Sequence, residues 1–175
     1  MTDAGDGAAQ AKMLALGELE RAYRHELAAL DALSPADLER PVWTGEGDGW
    51  RIRDLIPHYA RWQRIAALAA RRIAAGTEPP PEPEMLLRPF VGITESVDDL
   101  NQEWHAAWCD RPVADCRAEL EAAHRELMDA LAALPPARVV KDDGQLYRYF
   151  WQPGLNHFRQ HRAHIEAALK ETAAP

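Results

Sequence analysis

Residues 52–73 read IRDLIPHYARWQRIAALAARRI, and this stretch decides the fold. Its apolar residues recur at alternating steps of three and four. That spacing matches the turn of an α-helix and places the apolar side chains in one stripe. An unbroken series of such steps is typical of a helix that packs in a bundle at a shallow crossing angle. The stripe consists of Ile52, Leu55, Tyr59, Trp62, Ala66, Ala69 and Ile73.

Helical patterning extends over most of the remaining chain. It predicts helices over residues 8–33 and 50–76, with Pro57 inside the second helix, where a proline should kink it. A third helix is expected from Ser96 to residue 134 with an interruption at 110–112, and a last one over 153–172. No run rich in valine and isoleucine alternates with a period of two. The sequence therefore predicts an all-α fold.

A proline-rich segment separates the second predicted helix from the third. Residues 77–84 contain four prolines and three glutamates, a composition typical of an extended connector. Long crossover connections of this kind occur in some four-helix bundles. We therefore expect a four-helix bundle in which residues 77–95 form the connector. The length of 175 residues suits one domain, so we expect residues 1–175 to form a single helical-bundle domain.

The charge balance excludes some classes of function. The formal net charge is −8, and no basic stripe concentrates the 20 lysines and arginines, so we expect no nucleic-acid partner. No apolar run approaches the roughly 20 residues that span a bilayer, and we expect no membrane contact. The acidic residues 1–6 lack a signal-peptide pattern, which favours a cytoplasmic protein.

A pair of histidines in the last predicted helix indicates chemistry. His157 and His161 are four residues apart, a spacing that places their Cβ atoms about 5–6 Å apart on one helix face. With His58 from the second helix, they would form a three-histidine metal site with coordination positions left open, as in catalytic sites. The alternatives are a solvated helix face for the pair and a hydrogen-bonded core histidine for His58.

His164 follows His161 by three residues on the same predicted face. Three roles are open for it: a fourth metal ligand, a base that contacts a ligand, or a polar filler. As a base it would be a candidate proton carrier, since imidazole titrates near neutral pH.

Other aromatic residues and histidines give weaker signals. Three tryptophans either line an apolar pocket or belong to the core, and three further histidines are interpreted as surface or rim residues. These residues are Trp62, Trp104 and Trp151, and His25, His105 and His124.

Two segments resemble a known superfamily. Residues 50–58, WRIRDLIPH, resemble the W-S-x-x-D-L-x-x-H segment of the DinB-like (DinB/YfiT) superfamily. Residues 156–162, NHFRQHR, resemble its H-x-x-x-H-R-G-Q segment, and Leu100-Asn101 resembles the related ClbS/DfsB branch. Their order and spacing also match, so that the resemblance extends over about residues 10–172. Two positions depart from the pattern: Ala163-His164 replaces Gly-Gln, and Pro57 precedes the first histidine.

The resemblance implies an antiparallel four-helix bundle, often dimeric, that binds a divalent metal, usually zinc or nickel, through three histidines. On this chain those are His58, His157 and His161. It also implies a metal-dependent enzyme, either a low-molecular-weight-thiol S-transferase or a hydrolase, that acts on a small electrophilic compound in detoxification or stress. The thiol would be a cosubstrate. The alternative is a non-catalytic dimeric bundle that sequesters a small molecule or is structural.

Overall fold

The fold is known from a computed structural model, which describes residues 3–42, 49–78, 90–139 and 152–171. These ranges are helical and contain no strand, so the predicted all-α class is confirmed. A 3₁₀-helix, Ile52–Asp54, precedes the helix that begins at Leu55, and a π-helical turn, Gln152–Asn156, precedes the helix that begins at His157. The α-helices are α1 (Asp3–Asp31), α2 (Pro35–Leu38), α3 (Leu55–Ala74), α4 (Val97–Trp108), α5 (Val113–Ala133), α6 (Pro136–Val139) and α7 (His157–Lys170).

Serine caps start α2 and α4. The Oγ atom of Ser34 accepts a hydrogen bond from the Asp37 backbone N–H at 3.1 Å, and Ser96 Oγ accepts one from Asp99 N–H at 3.0 Å. Each bond satisfies a backbone donor that the first turn of a helix leaves unpaired. The start predicted at Ser96 is therefore confirmed.

The core is organised around α3. Its most extensive helix contact is with α5, and fully buried alanines, among them Ala66 and Ala70, let the two backbones approach closely. Arg64 joins the same pair of helices through Glu119 at 2.9 Å and Glu126 at 2.8 Å. Two hydrophobic clusters meet along α3, and the one at its N-terminal end includes Phe158 of α7. This end holds the candidate site.

Pro57 lies within its helix, as predicted, but in the first turn and not in the interior. Because α3 begins at Leu55, Pro57 lies in the first turn, where its missing N–H would have no partner in the helix. The physical reason to expect a kink there is therefore removed. The 3₁₀-helix that precedes α3 accounts for the earlier start predicted from the periodicity.

Parts of the predicted topology fall outside the described ranges. The proline-rich connector lies mostly on residues 79–89, and Trp151 is also outside them. The antiparallel four-helix bundle and the single domain remain predictions. Within the described ranges, none of the helices combines the length and apolarity that a membrane-spanning segment requires.

Gly154 allows the chain that enters α7 to lie directly against α1. A Cβ atom at this position would be 2.7 Å from Cδ1 of Leu19, a residue with no solvent exposure. Such a distance is too short for two carbon atoms, so any larger residue would displace Leu19. The glycine therefore fixes the approach to α7 three residues before His157.

We expect Gly154→Ala to lower the free energy of unfolding by about 1–3 kcal/mol, because the added methyl group overpacks the core. Gly17→Ala is the matched control, since its Cβ would lie 3.5 Å from Arg21 Nη1, an ordinary contact within α1. It should raise stability by about 0.5–1 kcal/mol through helix propensity. Urea unfolding of both variants measures the difference, and equal effects of the two changes would contradict the close approach.

Candidate metal centre

Three histidines from two helices meet in the core. His58 lies in the first turn of α3, His157 begins α7, and His161 follows one turn later. The Nε2 atom of His58 is 2.8 Å from that of His157 and 3.1 Å from that of His161, and the latter two are 2.9 Å apart. The three residues are 2%, 8% and 0% exposed. The structure thus brings together the histidines predicted as metal ligands.

No arrangement of protons gives each of the three contacts in this cluster a hydrogen bond. A ring nitrogen carries either one N–H or one lone pair, and an N–H points at one acceptor. Among three mutually facing nitrogens, at least one contact therefore joins two lone pairs or two N–H groups. A shared cation removes the conflict because it accepts all three lone pairs.

The spacing of the nitrogens fits a transition-metal ion. Bonds of about 2.1 Å place adjacent ligand atoms about 3.0 Å apart at right angles and about 3.4 Å apart at tetrahedral angles. The three observed distances, from 2.8 to 3.1 Å, lie close to the first of these values. Imidazole suits zinc and nickel among other metals, so the donor set does not select between them. The residues form the only group of potential ligands of this kind among the described residues.

Burial keeps two of the three histidines in the neutral form that binds metal. It lowers the pKa of His58 well below its usual range, and the nearby His157 and His161 lower it further. Burial, with a smaller effect of His164, lowers the pKa of His161 to about 3. Both imidazoles are therefore neutral at pH 7, so no proton has to leave before an ion binds.

Aromatic rings surround the three histidines. The Trp50 ring meets the His58 ring edge-on at a centroid distance of 5.1 Å. The rings of Tyr59 and Trp62 lie between 5.4 and 6.4 Å from rings of the cluster. Electrostatic interactions are stronger in such a water-poor environment than at the surface.

A small cavity and a larger cleft lie on one side of His58. The cavity has a volume of ≈ 10 Å³, room for about one water molecule. The cleft has ≈ 480 Å³ and shares the walls Pro57, Trp104 and Trp108 with the cavity. Trp104 lines both the cavity and the cleft and also belongs to the buried core, against which Trp62 packs.

His164 is outside the group of three nitrogens. Its Nδ1 atom lies 3.3 Å from Nδ1 of His161, the nitrogen that does not face the cluster. One of these two atoms must donate to the other. If Nε2 of His161 binds a metal, its Nδ1 carries the ring proton and donates a hydrogen bond to Nδ1 of His164. This contact fits a base beside a ligand better than a fourth ligand.

A buried carboxylate connects three helices beside the site. Glu26 of α1 is 2% exposed and accepts a hydrogen bond from Tyr59 of α3 at 3.2 Å. Arg162 of α7 donates to the same carboxylate at 2.6 and 3.2 Å. Burial raises the pKa of Glu26, while Arg162 and Tyr59 lower it. The ion pair between Glu26 and Arg162 fixes the position of α7 next to His161.

The interpretation of the remaining histidines was right in part. His25 is exposed and His105 is half-buried, as expected of surface and rim residues. His124 is 4% exposed, so its interpretation as a surface or rim residue is wrong. The overlooked signal is its spacing, since it follows Leu120 by four residues and precedes Leu127 by three on the buried face of α5.

We expect the metal-free protein to lose stability as the pH falls below about 6.5, the unfolded-state pKa of histidine. The pKa values of His58, His161 and His124 are lowered in the folded state, so the unfolded state binds more protons below that pH. Each group contributes up to about 1.4 kcal/mol per pH unit. Urea unfolding between pH 5.5 and 7.5 in the presence of a chelator measures this slope.

His161→Gln should lower the slope of the unfolding free energy against pH by up to about 1.4 kcal/mol per pH unit, because one proton fewer is taken up on unfolding. His25→Gln is the control, because its exposed side chain is solvated in both states. A slope that is the same in wild type and His161→Gln would contradict a buried neutral imidazole at this position.

Comparisons with known proteins identify the family and support the fold. Residues 19–144 match the family described as mycothiol maleylpyruvate isomerase N-terminal domain, a range that includes His58 and ends before α7. A crystal structure of an uncharacterised protein from Escherichia coli UTI89 has 13% sequence identity and a TM-score of 0.68, over 93% of this chain and 94% of that chain. At this identity the likeness concerns the fold alone. Among curated proteins none matches the chain.

The family match covers more than half of the chain, and this family is one of the DinB-like superfamily. The chain therefore belongs to the mycothiol maleylpyruvate isomerase N-terminal domain family of the DinB-like superfamily.

Proposed function

We propose that the chain is a divalent-metal-dependent enzyme that transfers a low-molecular-weight thiol to a small electrophilic compound, in cytoplasmic detoxification or stress. The observation that carries this proposal is the convergence of three buried imidazoles at 2.8 to 3.1 Å in the core. The family description names mycothiol, which supports a thiol reaction over hydrolysis by metal-bound water. The acting unit would be a homodimer, as the resemblance implies.

In this proposal His58, His157 and His161 hold zinc or nickel through Nε2. The bound ion supplies Lewis acidity, which lowers the pKa of a thiol or water toward neutral pH. The histidines leave room for such a ligand because three protein donors do not complete a coordination shell. The aromatic rings around them exclude bulk water, which limits competing hydrolysis.

We further propose that His164 carries a proton to or from the reacting groups. It is half-buried and contacts His161 at 3.3 Å, so it lies between the centre and solvent. Accepting a hydrogen bond from Nδ1 of His161 would also hold that ring with Nε2 toward the ion.

A non-catalytic metal-binding or sequestering bundle is the second candidate. It is favoured by the burial of all three histidines and by the cavity of ≈ 10 Å³ beside His58, which is too small for a substrate. Catalysis would require Trp104 or Trp108 to move and open the cleft toward the histidines. Turnover decides between the two candidates.

We expect about one equivalent of zinc or nickel in protein purified without a chelator or a histidine tag. Elemental mass spectrometry measures it. His58→Ala, His157→Ala and His161→Ala should each lose the metal, because two imidazoles bind more weakly than three. His25→Ala, an exposed histidine elsewhere, should keep it. An empty wild type whose melting temperature does not respond to added metal would contradict the metal centre.

We expect the metal-loaded protein to consume an electrophile only when a thiol is present. The test incubates the protein with aryl halides, epoxides or conjugated alkenes, together with mycothiol or cysteine. Mass spectrometry then detects the product. His161→Ala should lower the rate by about two orders of magnitude or more. Turnover without thiol would indicate a hydrolase, and a metal-loaded protein with no turnover would favour the second candidate.

A further inference from the structure

Asp54 is a buried carboxylate at the entrance to α3. It is 4% exposed and precedes His58 by four residues, about one helical turn. Its Oδ2 atom accepts hydrogen bonds from the backbone N–H of Arg51 at 2.8 Å and from Arg51 Nε at 3.1 Å, and Oδ1 accepts one from Nη2 at 3.2 Å. These bonds hold the 3₁₀-helix from which α3 starts.

The same carboxylate reaches α4. The Nε2 atom of His105 lies 3.3 Å from Asp54 Oδ2, and since a carboxylate only accepts, the imidazole donates. His105 stacks on Trp50 with ring centroids 5.0 Å apart and an interplanar angle of 15°. Trp50 in turn meets the His58 ring edge-on at 5.1 Å and 87°. A continuous series of contacts therefore runs from Asp54 to His58.

The backbone at Trp50 is held independently of its ring. Its carbonyl accepts a hydrogen bond from Val42 N–H at 2.8 Å, and Pro41 and Arg51 form an isolated β-bridge. The orientation of the indole ring therefore depends on its neighbours, of which His105 is the stacked one. Without the bond to Asp54, the His105 ring could rotate and the support of Trp50 against His58 would weaken.

We propose that Asp54 is a positioning residue for the metal centre, acting on His58 through His105 and Trp50. The proposal rests on the proposed metal function. His157 and His161 lie on α7, outside this series of contacts, so the effect should fall on one ligand of the three. Residues that orient metal ligands typically change affinity by about 10- to 100-fold when they are replaced.

The test is cobalt(II) binding to the full chain after removal of other metal, followed by visible absorption. Asp54→Asn keeps the size of the side chain and should lower the affinity for cobalt by about 10- to 100-fold and shift its absorption bands. Glu39→Gln is the matched control. It removes the exposed acidic partner of the same Arg51, 2.9 Å from Nη1, and should bind cobalt as wild type does.

His105→Ala provides a second variant in case Asp54→Asn does not fold. It removes the ring between Asp54 and Trp50 but leaves the bonds between Asp54 and Arg51 in place. Weaker cobalt binding with shifted bands supports the proposal. Wild-type affinity and bands in every variant that folds would overturn it. Absence of cobalt binding in the wild type would instead overturn the metal centre itself, and the positioning role with it.

Discussion

The complete burial of the first turns of α3 is the constraint on which the rest of the structure depends. The residues from Leu55 to Ala60 are all buried, so this segment has no face on which a polar side chain reaches solvent. Burying a polar group without a partner costs free energy, so each one here requires a partner from another helix. Tyr59 finds it in Glu26 of α1, and His58 faces the histidines of α7. The polar residues of α3 thereby determine which helices pack against it.

The pairing of Glu26 with Arg162 has consequences beyond stability. A buried ion pair gains little over apolar packing, but removal of one partner leaves a buried charge and is strongly unfavourable. Such a pair therefore favours one arrangement of its helices over alternatives. Here it joins α1 to the residue that follows His161, and Tyr59 adds α3. The geometry of the three histidines is thus supported by charge pairing as well as by packing, before any ion binds.

Periodicity was sufficient to predict the buried face of α3, because every residue of the stripe in residues 52–73 is buried except Trp62, which is partly buried. It also placed His157 and His161 on one face. It was not sufficient to predict where α3 begins. That start depends on Arg51, whose guanidinium donates to the distant Cys109 carbonyl at 2.6 Å as well as to Asp54. A contact between residues so far apart in the chain leaves no local pattern. The role of His105 was missed for the same reason.

The chain contains its own comparison for the candidate metal centre. His124 is as deeply buried as His58, but its Nδ1 lies 3.0 Å from Gln63 Oε1 and its Nε2 lies 2.9 Å from Glu20 Oε2. It also stacks on Tyr23 at 3.6 Å. Each nitrogen of that imidazole faces an oxygen atom of another residue, so a proton on either nitrogen has an acceptor. In the candidate metal centre the three Nε2 atoms face one another, and no distribution of protons gives all three of these contacts a hydrogen bond. Burial alone therefore does not single out a candidate metal ligand; the identity of the atoms that its nitrogens face does.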